Sequence, residues 1–195
     1  MPGSGKTTLA FRYLQNAPVA CRFIFDDRGQ AAARLRLPHA STEAELERAL
    51  ATRWVCYNPH QMFPGDPVTA LKFFCRWTYA ASKRGPGHKL CFVDEVYRHC
   101  TPTHIPVELA VIAQEGRVED LELVTATQRP HKWNESLMGQ MTELICFRLQ
   151  HRLALQALTD LDIGDADIER VRRLPLGSFI SFNLEKGSSR TGKVF

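Results

Sequence analysis

Several things are scarce in this sequence. No apolar run approaches the ~20 residues a membrane-spanning helix needs, and no apolar segment follows the first residues, where Lys6 and Thr7 stand. A membrane span and a secretory leader are therefore not expected. The six cysteines, at 21, 56, 75, 91, 100 and 146, include no Cys-x-x-Cys pair. Isolated thiols inside apolar runs read as reduced core residues of a cytosolic protein. Charge of one sign is scarce too: the net charge is +4, compatible with a polyanionic partner but too small to demand one. There is no internal repeat and no low-complexity linker. What remains is an ordinary balance, 44% hydrophobic and 24% charged over 195 residues, enough for one domain over residues 1–195 with its own core.

The opening "MPGSGKTTLA" lacks something more specific. A phosphate-binding loop reads G-x-x-x-x-G-K-[ST]. Gly5, Lys6 and Thr7 supply its end, but its first glycine would fall before Met1, and so would the buried strand that feeds such a loop. The expectation is a start placed too late, with apolar edges of neighbouring strands exposed as a result. Within the loop, Gly3 and Gly5 allow a tight turn and close backbone approach. The N–H groups from Gly3 and Ser4 through Thr8 would wrap phosphates at a helix N-terminus. Lys6 would neutralise β- and γ-phosphate oxygens, and the Thr7 hydroxyl would ligate Mg²⁺. The plain alternative is a glycine turn before a helix.

The rest of the chain alternates strand and helix patterns, which argues for a mostly parallel α/β sheet flanked by helices. Strand patterns lie at 21–27, 53–59, 90–95, 121–128, 143–149 and 177–185. Helical patterns lie at 7–15, 41–50, 65–82, from about 106 to 116, 150–159 and 165–173. In the first, Leu9, Ala10, Tyr13 and Leu14 share a face. Thr42 and Glu45 are spaced as a capping box, and Asp66-Pro67 mark a helix start. Phe74 and Trp77 belong on that helix's core face. The last ten residues, "KGSSRTGKVF", read as an exposed tail or an edge hairpin.

The strand "LCFVDE" ends in Asp94-Glu95. A buried parallel strand delivers its last residues to the ligand edge of such a sheet. There Asp94 can hold the Mg²⁺ shell and Glu95 can polarise an attacking water. A solvated turn after a strand is the alternative, but the pair follows the glycine loop by about ninety residues with an α/β pattern between, which argues against coincidence. A third strand, "LVTATQRP", ends in Thr127-Gln128, and Gln128 can hydrogen-bond the water or a phosphate.

"GRVEDLELVTATQRP", the Asp-Glu strand and the glycine loop together resemble the HerA/FtsK branch of P-loop ATPases, as do "ICFRL" and "LPLGSFISFNLEKG". By length the chain is most similar to the genome-packaging ATPases of membrane-containing, double-jelly-roll viruses and phages. The resemblance spans nearly the whole chain. It implies a RecA-like (ASCE) P-loop fold, ATP and Mg²⁺ as cofactors, and a hexameric homo-oligomeric ring that moves double-stranded DNA, with capsid vertex proteins as further partners. The place of work would be the cytoplasm, which for a virus means the host cytoplasm or the virion vertex. It also implies that Lys6, Thr7, Asp94, Glu95 and Gln128 carry the chemistry, and that Arg117, after Gly116, serves a neighbouring subunit; Arg129 and Arg148 are alternatives for that role. Filamentous-phage assembly (Zot-like) ATPases and cellular HerA-like pumps share the loop and the acid pair. A small-molecule kinase shares the loop, and an inactive nucleotide-binding subunit would tolerate a missing strand.

Other groups read more simply. His99, Cys100 and His104 are close in sequence, but no second ligand pair accompanies them, so they are taken as a loop. The basic loop Lys83, Arg84, His88 and Lys89 could face a DNA backbone but is read as solvated, as are Arg170, Arg172 and Arg173. Cys91, flanked by apolar residues, is no nucleophile.

Overall fold

The computed structural model describes residues 5–195. It opens with helix α1 (Lys6–Asn16), followed by β1 (Cys21–Phe25), α2 (Gln30–Leu35), α3 (Glu43–Leu50), β2 (Trp54–Tyr57), α4 (Pro67–Ser82) and β3 (Lys89–Val93). Then come α5 (Val107–Glu115), β4 (Leu121–Thr125), α6 (Glu135–Met138), β5 (Glu143–Phe147), α7 (Arg152–Thr159), α8 (Asp165–Arg173), β6 (Ser178–Asn183) and β7 (Ser188–Lys193). Four strands form a parallel sheet in the order β2-β1-β3-β4, and three form an antiparallel sheet in the order β5-β6-β7.

The parallel sheet is apolar on both faces, because helices cover both. Phe23 and Phe25 of β1, Val55 and Tyr57 of β2, and Cys91 and Val93 of β3 turn to one side. There they meet Leu71, Phe74 and Trp77 of α4 and Leu109 and Ile112 of α5. The alternate residues Ile24, Cys56, Leu90 and Phe92 turn to the other side, against Phe11 and Leu14 of α1 and Ala31 and Ala32 of α2. The expected stripe of α1 holds at Leu14, which is buried, and at Ala10, which packs against the same cluster; it is corrected at Tyr13, which is 41% exposed and donates its hydroxyl to Glu122 on β4, while Phe11 is buried instead. Arg22 reaches back from β1 to the carbonyls of Leu14 and Ala17, so the C-terminal turn of α1 is anchored to the sheet.

Local signals place several boundaries. The Asp66 carboxylate accepts the Thr69 N–H at 3.0 Å with Pro67 at the first helical position of α4. Thr42 accepts the Glu45 N–H at 3.3 Å, and the Glu45 carboxylate returns to the Ser41 N–H at 2.7 Å, a capping box shifted by one residue.

The C-terminal strands depart from the parallel expectation. Between β5 and β6 the chain makes α7 and α8, yet the pair is antiparallel, with Glu143 opposite Asn183 and Phe147 opposite Phe179. Two helices between strands allow either direction. The tail is the edge strand β7, a hairpin partner of β6. Leu158, Ile163 and Val171 pack with Ile180 and Phe182 on one face of this second sheet.

β4 is the outer strand of the parallel sheet, with residues 122–125 half-buried where every residue of β3 is buried. On β5, Ile145 is 43% exposed. No described helix is long and apolar enough to cross a membrane.

Candidate functional site

The strand register builds the site. Tyr57, Phe25, Val93 and Thr125 pair across neighbouring strands, so the carboxyl ends of β2, β1, β3 and β4 are level. The residues just beyond, Asp26, Asp94 and Ala126, therefore begin one edge, where ligands of open parallel sheets bind.

The N-terminus of α1 faces that edge. Gly5 is the residue before its first turn, at φ 101°, a conformation that L side chains rarely adopt. A Cβ there would also lie 3.1 Å from the Phe147 ring and 3.3 Å from Val194, so space as well as torsion calls for glycine. No described side chain caps this end and no acid lies in its first turn, so its N–H groups and the helix dipole favour an anion. Gly3 and Ser4 lie outside the described residues.

Lys6 brings the distant acids to this helix. Its ammonium donates to Glu95 Oε1 at 2.7 Å and to Asp94 Oδ1 at 3.3 Å, joining residues 89 and 88 positions apart. The Glu95 side chain is only 5% exposed. Its other oxygen, Oε2, accepts the Gln128 backbone N–H at 3.1 Å, while Asp94 Oδ1 accepts the Glu95 N–H at 2.9 Å. Glu95 is thus clamped between the start of α1 and the loop after β4. Its own backbone is left-handed, at φ 49°, a conformation of order 1–3 kcal/mol in cost that persists where surroundings over-determine it. The link from β4 reinforces it: the Val96 N–H donates to the Ala126 carbonyl at 3.2 Å, and the Ala126 N–H to Val93 at 3.1 Å.

The other expected residues fall as follows. Thr7 is in the first turn of α1, half-buried. The Thr8 hydroxyl accepts from Arg34 of α2 at 3.4 Å. Gln128 is exposed, and its backbone N–H is what reaches Glu95. Arg117 lies in a short 3-10 turn (Gly116–Glu119) that leads into β4, at the end of that strand away from Thr125. It is exposed and pairs with Glu185 at 3.2 Å. Of the residues named from the sequence, the structure brings together Lys6, Asp94, Glu95 and Gln128, with Thr7 beside Lys6, and sets Arg117 apart.

Sequence reasoning missed the turn after β1. Asp26, Asp27, Arg28 and Gln30 line one cleft together with Asp94 and Glu95. Arg28 is exposed and adds a cation at the same edge. The signal was available: "FDDRG" ends a strand parallel to "LCFVDE" in a sheet whose strand ends are level.

The basic loop has its charges occupied. Arg84 meets Glu47 at 2.6 Å, His88 meets Glu122 at 3.0 Å, Lys83 approaches Glu119 to 3.9 Å, and buried Lys89 donates to the Glu119 carbonyl at 3.0 Å. It also precedes β3, at the end of the strands opposite the acid pair. Arg170, Arg172 and Arg173 pair with Asp167 and Glu169 on their own helix. All six cysteines are free and buried, and burial raises the Cys91 thiol to about 12, outside the range of a nucleophile at neutral pH.

No protein-family model matches this sequence, and comparison with curated proteins gives no match. Solved structures do match. The genome packaging NTPase B204 from Sulfolobus turreted icosahedral virus 2, in complex with AMP, superposes with a TM-score of 0.74 at 16% identity, over 98% of this chain and 92% of that chain. The same protein in complex with AMPPCP gives 0.74 and 16% over 98% and 93%. B204 described as the DNA-packaging ATPase from Sulfolobus Turreted Icosahedral Virus gives 0.71 and 16% over 98% and 92%. At this identity the likeness is one of fold: an α/β, P-loop NTPase-like arrangement with a parallel sheet flanked by helices.

Proposed function

We propose that this chain is an ATP-hydrolysing DNA translocase of the genome-packaging type, in the HerA/FtsK branch of P-loop ATPases. In this reading residues 1–195 act as one ATPase domain in a homo-oligomeric ring, which threads double-stranded viral DNA into a capsid. The observation that carries the reading is the convergence of Lys6, Asp94, Glu95 and the Gln128 N–H at the free N-terminus of α1. The likeness in fold to a packaging NTPase crystallised with adenine nucleotides supports it.

The triphosphate would lie against the N–H groups of the first turn of α1, with Gly5 keeping that approach open. Lys6 would turn from the acids to the β- and γ-phosphates. Glu95, released from Lys6 but still held by the Gln128 N–H, would orient water for in-line attack and accept its proton. The residues fit Mg²⁺: the Asp94 carboxylate and the Thr7 hydroxyl are hard oxygen donors, and Asp94 already faces a cation in the Lys6 ammonium. Bound there, Mg²⁺ would neutralise charge on the β- and γ-phosphates. Arg117 would act on the site of a neighbouring subunit.

The test is ATP turnover by the purified chain with and without double-stranded DNA. The reading expects hydrolysis that rises with DNA and disappears in Lys6→Ala. Turnover only with a small hydroxyl acceptor would identify a kinase, and nucleotide binding without turnover an inactive subunit; either would reject the proposal.

A further inference from the structure

A second group of ligating side chains converges beside the cleft, and it is not the cluster prominent in the sequence. His99 and Cys100 are buried and His104 is exposed in a turn, and among the described residues these three do not form a ligand group. Asp26, His39 and Cys56 do: their ligand atoms all lie within 4.8 Å of one another. We propose that these three residues form a binding site for a borderline-soft divalent cation of the zinc type.

Two of the three edges, those that meet at Asp26, are close to the edges of a coordination shell. His39 Nε2 lies 3.2 Å and Cys56 Sγ 3.7 Å from Asp26 Oδ2. A tetrahedral ion with bonds of about 2.0 Å to oxygen and nitrogen and about 2.3 Å to sulfur has ligand–ligand edges of about 3.3 and 3.5 Å. The donor set also selects the ion. One sulfur, one imidazole and one carboxylate suit zinc, whereas the other acid edge, all hard oxygen, suits magnesium.

The ligands come from three segments that the fold already holds. Asp26 follows β1, Cys56 is the third residue of β2, and His39 precedes Ala40, whose N–H donates to the Cys56 carbonyl at 2.8 Å. The Ala32 N–H donates to Asp26 Oδ2 at 2.8 Å, the kind of outer contact that orients a ligating carboxylate. Gly29 faces the imidazole, where a Cβ would sit 3.5 Å from His39 Cε1. Asp26 and Cys56 are buried and the His39 side chain is 33% exposed, so the ion enters from the His39 side and keeps a fourth position open to solvent.

Without metal, the same atoms are joined by protons: the thiol and the imidazole each contact Asp26 Oδ2. On binding, the Cys56 thiol proton leaves to solvent and the proton on His39 Nε2 is exchanged through solvent for one on Nδ1, so that the thiolate and the bare Nε2 bind the ion. The ion would tie β1, β2 and the loop before Ala40 together and stiffen the Asp26–Arg28 turn that lines the cleft.

The test uses the metal-stripped chain without nucleotide, so it does not depend on ATPase activity. Zinc is titrated in competition with a chromophoric chelator, and cobalt is added as a spectroscopic probe. One equivalent is expected, with a thiolate-to-cobalt charge-transfer band that disappears in Cys56→Ser and persists in Cys100→Ser. His39→Gln, at a partly exposed position, should lower zinc affinity more than about tenfold, since even loss of an outer-shell partner costs 10–100-fold. It also serves if Cys56→Ser does not fold. Absence of binding, binding without a thiolate band, or unchanged affinity in His39→Gln would overturn the proposal.

Discussion

Glu95→Gln should act on the resting protein, before any nucleotide binds. Both oxygens of Glu95 accept: Oε1 from Lys6 at 2.7 Å and Oε2 from the Gln128 N–H at 3.1 Å. A glutamine offers one acceptor and one NH₂, so one of the two donors must face another donor. The loss is one charge-assisted hydrogen bond at a side chain 5% exposed, worth about 1.5–3 kcal/mol. For a chain of this size about 2 kcal/mol lowers Tm by about 4–8 °C. Nucleotide binding should move the other way. In the proposed mechanism Lys6 leaves Glu95 to meet the phosphates, and in the variant that competing contact is weakened. A gain of about 1.4 kcal/mol would be a tenfold tighter Kd. Hydrolysis should fall by about 100-fold or more, since no carboxylate then accepts the proton of the attacking water. The measurements are a nucleotide-free melt, ATP titration in Mg²⁺ and single-turnover hydrolysis. An unchanged melt together with an unchanged Kd would refute the clamp, whatever happens to turnover.

Gly5→Ala should destabilise by about 1–3 kcal/mol and abolish ATP binding, because φ 101° and the 3.1 Å approach of Phe147 both oppose a side chain; a melt and a nucleotide titration check this. His99 is buried against Phe25 at 5.3 Å between ring centres, its ring nitrogens without hydrogen-bond partners among the described residues, and burial lowers its pKa from the ordinary 6.5 despite the pull of Asp27. The unfolded chain then binds the extra proton first, so stability is full above about pH 6.5 and declines as pH falls below it; His99→Phe should flatten that decline in denaturant melts at pH 5 to 7. Among the described residues Arg117 pairs with exposed Glu185, a contact worth about 0–1 kcal/mol, so its guanidinium is releasable to a neighbour. Mixing Glu95→Gln with Arg117→Ala under subunit exchange should restore part of the activity, and no recovery in proven mixed assemblies would reject action in trans.

Much of the fold was legible where signals are local. Asp66-Pro67 opens α4, and α8 spans Asp165–Arg173 as expected, with acids in its first turn and arginines in its last. The strands of the parallel sheet were legible as apolar runs because both faces are covered. What escaped depends on tertiary partners. α2 is six residues long between left-handed residues Gly29 and Arg36, and its Ala32 N–H is satisfied by Asp26 rather than by a neighbouring cap. For β7, "SSRTGK", the lack of apolar alternation left exposed tail and edge hairpin both open, and the hairpin is the outcome because β6 lies beside it. The convergence of Lys6, Asp94 and Glu95 could be anticipated, since parallel strands deliver their ends to one edge. The opposing Gln128 N–H, the left-handed backbone of Glu95 and the Asp26–Arg28 wall are set by pairing geometry and carry no pattern of their own.

The resting arrangement bears on how the proposed ATPase would couple its ligands. Lys6 sits where a divalent cation would neutralise Asp94, so ammonium and cation compete for one carboxylate. The α1 N-terminus and the acid pair also share Lys6 as their only described link. A nucleotide that draws Lys6 onto its phosphates strips the acids of their counter-charge, and two adjacent carboxylates, one of them buried, then attract a cation more strongly. By linkage, a cation that takes Asp94 must strengthen nucleotide binding by the same factor, because it releases Lys6. Neither ligand needs to move an element of the fold for this coupling. The exchange of one ammonium between two partners 88 and 89 residues away and an incoming phosphate is sufficient.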